Sequence, residues 1–135
     1  MNNSDWITPL YAGLLGILLL VLSYGVSRER MKRKVTIGDG EFPTLHRAIR
    51  AHGNLIEYAP FALILMLLVE LEGFSDGIVH GLGITLVAGR VLHGIGLSLN
   101  SGPSAPRAIG TTLTWLMILI ASALAIFGAI LPDRF

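Results

Sequence analysis

Arg47, Arg50, Asn54 and Glu57 stand at the head of a stretch that then runs from Phe61 to Val69 without a charge. On a helix turning about 100° per residue they fall within an arc of roughly 80°. Two cations, an amide and a carboxylate thus share one stripe at one end of an apolar helix. Such groups are costly in lipid and need a partner inside the protein. Two readings fit: a buried network that joins helices, or a pocket for a small zwitterionic or anionic ligand. Asn54 can donate and accept, and Glu57 can accept from an ammonium group.

Other polar residues belong to the same end of the chain's helices. Arg90 and His93 are i, i+3 and share a helix face, while Arg28 and Arg107 flank apolar stretches. Arg28, Arg50, Arg90 and Arg107 outnumber the one acid of the stripe, Glu57, so the ligand is expected to carry carboxylates or develop negative charge. The chain has no cysteine, which excludes disulfides, thiolate nucleophiles and cysteine-based metal sites. Thiol chemistry would need a thiol brought by the substrate. Glutathione carries carboxylates, one amine and a thiol, and matches every group. A free thiol has a pKa near 8.5, and a neighbouring cation lowers it. An arginine against the sulfur would hold a thiolate, and catalysis would require only positioning and fixed positive charge. The histidines form no metal set: His52 lies roughly 160° from Arg50 on the wheel and reads as a helix contact, His46 as incidental, and His80 sits far from His93.

These residues need a scaffold, and the composition specifies a membrane one. The 135 residues are 53% apolar and 14% charged, with a mean hydropathy of +0.68; a soluble domain carries about 25% charged residues. The net charge of +1, without a basic stripe interleaved with aromatics, gives no sign of a nucleic-acid partner. A bilayer core of about 30 Å needs roughly 20 apolar residues per helix, and four stretches qualify, at about residues 7–27, 44–71, 77–99 and 108–131. The length suits one domain. Met1 to Asp5 lack the basic region of a signal peptide, so the first stretch reads as a retained span. Pro60 predicts a kink in the second helix. Gly81, Gly83, Ala88, Gly89, Gly94 and Gly96 allow close approach by the third. The connection between spans one and two holds Arg28, Arg30, Lys32, Arg33 and Lys34, that between two and three is acidic, and the termini carry little beyond Asp5 and the Asp133-Arg134 pair. The positive-inside rule puts the basic loops in the cytoplasm and both termini on the other side. The expected architecture is an all-α, up-down bundle of four transmembrane helices.

The run from Arg50 through His52, Asn54, Glu57 and Tyr58 to Pro60 resembles the signature of the MAPEG family, the membrane-associated proteins in eicosanoid and glutathione metabolism. The likeness extends to the basic end of helix one, to Gly89, Arg90 and His93, and to Arg107 opening helix four; the Gly38-Asp39-Gly40 turn and short length are similar to the bacterial branch. The resemblance implies a homotrimer in the inner membrane, with glutathione bound between subunits on the cytoplasmic side. Arg50, Asn54, Glu57 and Tyr58 match glutathione-binding positions, as do Arg28 (with Arg30 an alternative in register), Arg90 and His93. Arg107 matches the thiolate-stabilising arginine. Two positions depart from the eicosanoid-forming members: Leu97 stands where they carry a tyrosine, and Ala108 where the prostaglandin-forming ones carry a serine. No eicosanoid reaction is therefore transferred.

The functional expectation is a glutathione transferase or peroxidase acting on small lipophilic electrophiles that enter from the bilayer. The alternative is a non-catalytic membrane binding or assembly module whose polar stripe is structural. A transporter is disfavoured, because no repeats or broken helices are seen.

Overall fold

A computed structural model describes residues 6–100 and 102–131. It consists of four helices: α1 (Thr8–Arg33), α2 (Pro43–Leu71), α3 (Asp76–Leu99) and α4 (Ala105–Ile130). They alternate in direction, and each is long and apolar enough to cross a bilayer. The chain is an all-α transmembrane bundle, as its composition and patterning led one to expect. Met1 to Asp5 and the Asp133-Arg134 pair, both used above to read the topology, lie outside the described residues.

Two helices reach beyond their apolar stretches, for electrostatic and conformational reasons. The basic run after Ser27 ends the apolar span but not α1, whose last turn holds Arg30, Lys32 and Arg33. Cations are favourable there, since a helix C-terminus carries partial negative charge. Lys34 then closes the helix in the left-handed conformation, at φ 56°. α4 starts three residues earlier than expected, because Pro106 falls within its first two positions, where a missing N–H costs nothing. Arg107 consequently lies inside the first turn rather than ahead of it. α2 runs as one helix through Pro60.

α3 and α4 form the most extensive interface, α2 packs against all three neighbours, and α1 lies on α2 and α3. Leu55, Ala62, Met66, Val79, Leu86 and Met117 fill the centre. Close approach of α3 and α4 depends on glycine: a Cβ on Gly110 would stand 2.5 Å from the His93 nitrogen, and one on Gly96 2.5 Å from that of Arg107. Of the other small residues expected at contacts, Gly83 faces the Tyr11 ring, whereas Gly81 has open space. Long apolar residues such as Ile17, Leu20, Ile64 and Leu119 remain on the outside, as a lipid-facing surface requires.

The acidic α2–α3 end is closed by polar contacts. The Glu70 carboxylate accepts from the Thr8 N–H at 3.0 Å and from the Ile7 N–H. These are donors that the first turn of α1 leaves without a helical partner. Tyr11 and His80 share a hydrogen bond of 2.8 Å.

Candidate functional site

The basic end holds a cavity of about 490 Å³. It is lined by Arg47, Arg50 and Asn54 of α2, His93 and Leu97 of α3, Arg107 of α4, and the residues that lead into α2, among them Asp39, Glu41, Phe42 and His46. Small-molecule sites span about 300–1,000 Å³, so the space suits a tripeptide-sized ligand. Its lining carries three arginines against two carboxylates.

Helix geometry concentrates that positive character. Arg107 sits in the first turn of α4, where backbone N–H groups already give partial positive charge and a cation is disfavoured. An anion there relieves both. The Gly96 contact holds the Arg107 backbone directly against α3, and Ser104 Oγ donates to the Gly96 carbonyl at 3.4 Å. Beyond Arg107 lies a second, more open cavity of about 510 Å³ lined by Gly102, Pro103, Ser104, Ala108, Thr111 and Thr112. The arginine belongs to the walls of both.

Below the first cavity, the stripe on α2 is tied to the core. Arg90 is 3% exposed. Its Nη1 donates to Asn54 Oδ1 at 2.6 Å, its Nε to Thr114 Oγ1 at 2.9 Å, and its Nη2 to the Gly110 carbonyl at 3.5 Å. The guanidinium lies over the Tyr58 ring, 5.3 Å from its centroid, and the Tyr58 hydroxyl accepts from Trp115 Nε1 at 3.2 Å. All these Arg90 partners are neutral. They satisfy its donors without cancelling its charge, so this buried cation adds to the field at the mouth. His93, also buried, has Arg50, Arg90 and Arg107 within electrostatic range.

The residues singled out in the sequence thus separate into three groups. Arg50, Asn54, His93 and Arg107 converge on the cavity. Arg90 and Tyr58 support it from beneath, and Arg90 reaches the site through Asn54. Glu57 and Arg28 are not among its lining residues. Glu57 pairs with Arg50 at 3.4 Å, with both side chains about half exposed (51% and 49%), a geometry that contributes little to stability. Arg28 is exposed on α1. Its alternative in register, Arg30, donates to the Gly38 carbonyl at 2.8 Å and anchors the turn instead.

That turn is the part sequence reasoning missed. Asp39, Glu41 and Phe42 form one lip of the cavity, and His46, read as incidental, joins them. Asp39 Oδ2 lies 2.7 Å from His46 Nδ1, and Oδ1 accepts from the Glu41 N–H at 3.0 Å. These two bonds hold the Asp39 carboxyl below its ordinary value of 3.8. Arg33 lies over the Phe42 ring, 4.9 Å from its centroid. The available signal was position: a carboxylate-bearing turn immediately before Pro43 must sit at the same end as the stripe.

Comparison with known proteins shows the family. The profile of the MAPEG family matches residues 8–127. The chain belongs to the MAPEG family. The MAPEG chain is also similar to the inner membrane protein YecN of Escherichia coli strain K12 and to the protein of that name in E. coli O6:H1 strain CFT073. Each is 41% identical over 114 residues, which cover 84% of this MAPEG chain and 86% of the relative.

Proposed function

We propose that this protein binds glutathione at the basic end of its bundle and joins the glutathione sulfur to small lipophilic electrophiles. The observation that carries the reading is the cavity in which Arg50, Asn54, His93 and Arg107 converge. Arg50 would hold a carboxylate of the tripeptide, and Asn54, oriented by Arg90, would present its amide N–H to the peptide backbone. Arg107, one side chain bordering two cavities, would stabilise the thiolate on one side. It would face an electrophile in the Ala108–Thr112 cavity on the other. Glutathione supplies the sulfur nucleophile that the cysteine-free chain lacks: the thiol proton passes to solvent, a C–S bond forms, and the leaving group departs with its bonding pair. Lipid hydroperoxides are a second class of substrate: the thiolate would attack the distal oxygen, the O–O bond would break to release the alcohol, and a second glutathione would reduce the resulting sulfenic acid to glutathione disulfide and water. Leu97 lines the cavity where a phenol would otherwise stand, so stabilisation of the thiolate falls to the arginines.

Membership of the MAPEG family and the relatives' description as inner membrane proteins support an inner-membrane location. The basic α1–α2 connection supports a cytoplasmic mouth with both termini opposite. Membership of the MAPEG family supports assembly as a homotrimer, in which the exposed Arg28 would meet a neighbouring subunit.

The reading is tested by glutathione-dependent conjugation of a chlorinated nitroarene by the detergent-purified protein. A rate above the protein-free control that is lost in Arg107→Ala is expected; an unchanged rate in that variant would remove the role given to Arg107. The structural-module reading has one observation in its favour, the Arg90–Asn54 bond, and it requires that glutathione have no effect at all.

A further inference from the structure

The lip of the cavity carries two carboxylates, and they differ in what they do. Asp39 is committed to the turn, through His46 and the Glu41 N–H. The Glu41 carboxylate has no hydrogen bond or ion pair among the described residues, although its side chain lines a cavity that also holds Arg47, Arg50 and Arg107. Its backbone is unusual as well. Glu41 has φ 62°, between the left-handed Gly38 and Gly40 and the helix start at Pro43. L side chains rarely adopt that conformation, and glycine would adopt it freely. The position is held firmly: Arg30 donates to the Gly38 carbonyl, and the Phe42 N–H donates to the Asp39 carbonyl at 3.0 Å. Glu57, the acid that the stripe on α2 suggests as an ammonium acceptor, already sits with Arg50 and does not line the cavity.

We propose that Glu41 is the specificity-determining residue of this cavity: it receives the ammonium group of a zwitterionic ligand whose carboxylate end lies toward Arg50 and Arg107. The inference rests on the ligand-binding reading given above and assigns the cavity a polarity, cation acceptor at the lip and anion acceptors within. A ligand with a free α-amino group is then favoured over the same molecule with that amine capped.

The test compares glutathione with N-acetylglutathione as stabilisers of the full-length, detergent-purified protein against heat. The wild type is expected to need about tenfold more of the acetylated ligand for the same shift, the size of one charge-assisted hydrogen bond. In Glu41→Gln, unfolding at the wild-type temperature without ligand, the two ligands become equivalent to within about twofold. In Glu57→Gln the tenfold preference remains. Retained preference in Glu41→Gln, loss of it in Glu57→Gln, or equal stabilisation of the wild type by both ligands would overturn the role of Glu41 while leaving glutathione binding in place. No stabilisation of the wild type by either ligand would overturn both readings.

Discussion

The two ends of this bundle use their polar side chains in opposite ways. At the acidic end Glu70 occupies the free N–H groups that open α1, and Tyr11 bonds His80, so polar groups from three helices are spent on one another. At the basic end Arg50, His93 and Arg107 surround open volume, and the buried Arg90 meets only neutral partners. A polar group that has found a protein partner fastens helices. A cation that meets open volume or neutral dipoles, with at most a half-exposed partner such as Arg50 has in Glu57, is available to an anion. The question raised by the stripe on α2 therefore has a divided answer: Asn54 and Arg90 fasten, while Arg50 faces outward with Arg107.

The contrast can be broken most severely at Arg90. Arg90→Met leaves the buried Thr114 hydroxyl oxygen and the half-buried Asn54 oxygen without their donor, and a loss of about 3 kcal/mol is expected from the two together. An unfolding titration in mixed micelles would measure it. Arg107→Ala should do the reverse, lowering conjugation about a hundredfold, as removal of one charge-stabilising donor does, with a change in unfolding free energy within about 0.5 kcal/mol. If both variants lost stability alike, the division between fastening and binding residues would fail. At the other end, Glu70→Gln weakens the anchoring of α1 by about 1 kcal/mol, seen as a lower unfolding midpoint, and leaves the glutathione response of the basic end untouched. The smallest effect concerns the lip. With its carboxyl held below 3.8, the Asp39 fastening is complete above that value and is lost only as pH falls through the lowered folded value. A carbon-detected titration of the Asp39 side chain should give a midpoint below 3.8, and one at or above it would show that the turn is not fastened as described.

Much of this was legible in the chain itself, for definable reasons. Four spans follow from apolar length, and the clustering of Arg50 with Asn54 follows from the 3.6-residue period, which the folded helix obeys. The ends of α1 and α4 were less legible, because hydropathy reports where lipid stops and not where a helix stops. Cations favoured in a last turn carry α1 on to Arg33, and a proline tolerated in a first turn lets α4 begin at Ala105. Least legible were the partners distant in sequence. Arg90 and Thr114 are 24 residues apart and Glu70 and Thr8 are 62; no periodicity encodes such pairs, which depend on which faces of α1, α3 and α4 meet. Arg90 on a polar helix face looked like a ligand contact until its three neutral acceptors were seen. His46 gave the opposite error, since its pairing with Asp39 depends on the path of a turn rather than on a wheel.

The central claim is that the basic end binds an anionic thiol peptide while the acidic end is closed. Thermal unfolding of the detergent-purified protein across a glutathione titration tests it most directly, since a ligand that binds the folded state raises stability by mass action, about 2.7 kcal/mol at a hundredfold excess over Kd. The midpoint should rise steadily with the logarithm of glutathione concentration in the wild type and in Glu70→Gln, and stay flat in Arg50→Ala. A wild-type midpoint that glutathione does not move, or a rise that persists in Arg50→Ala, would contradict the account.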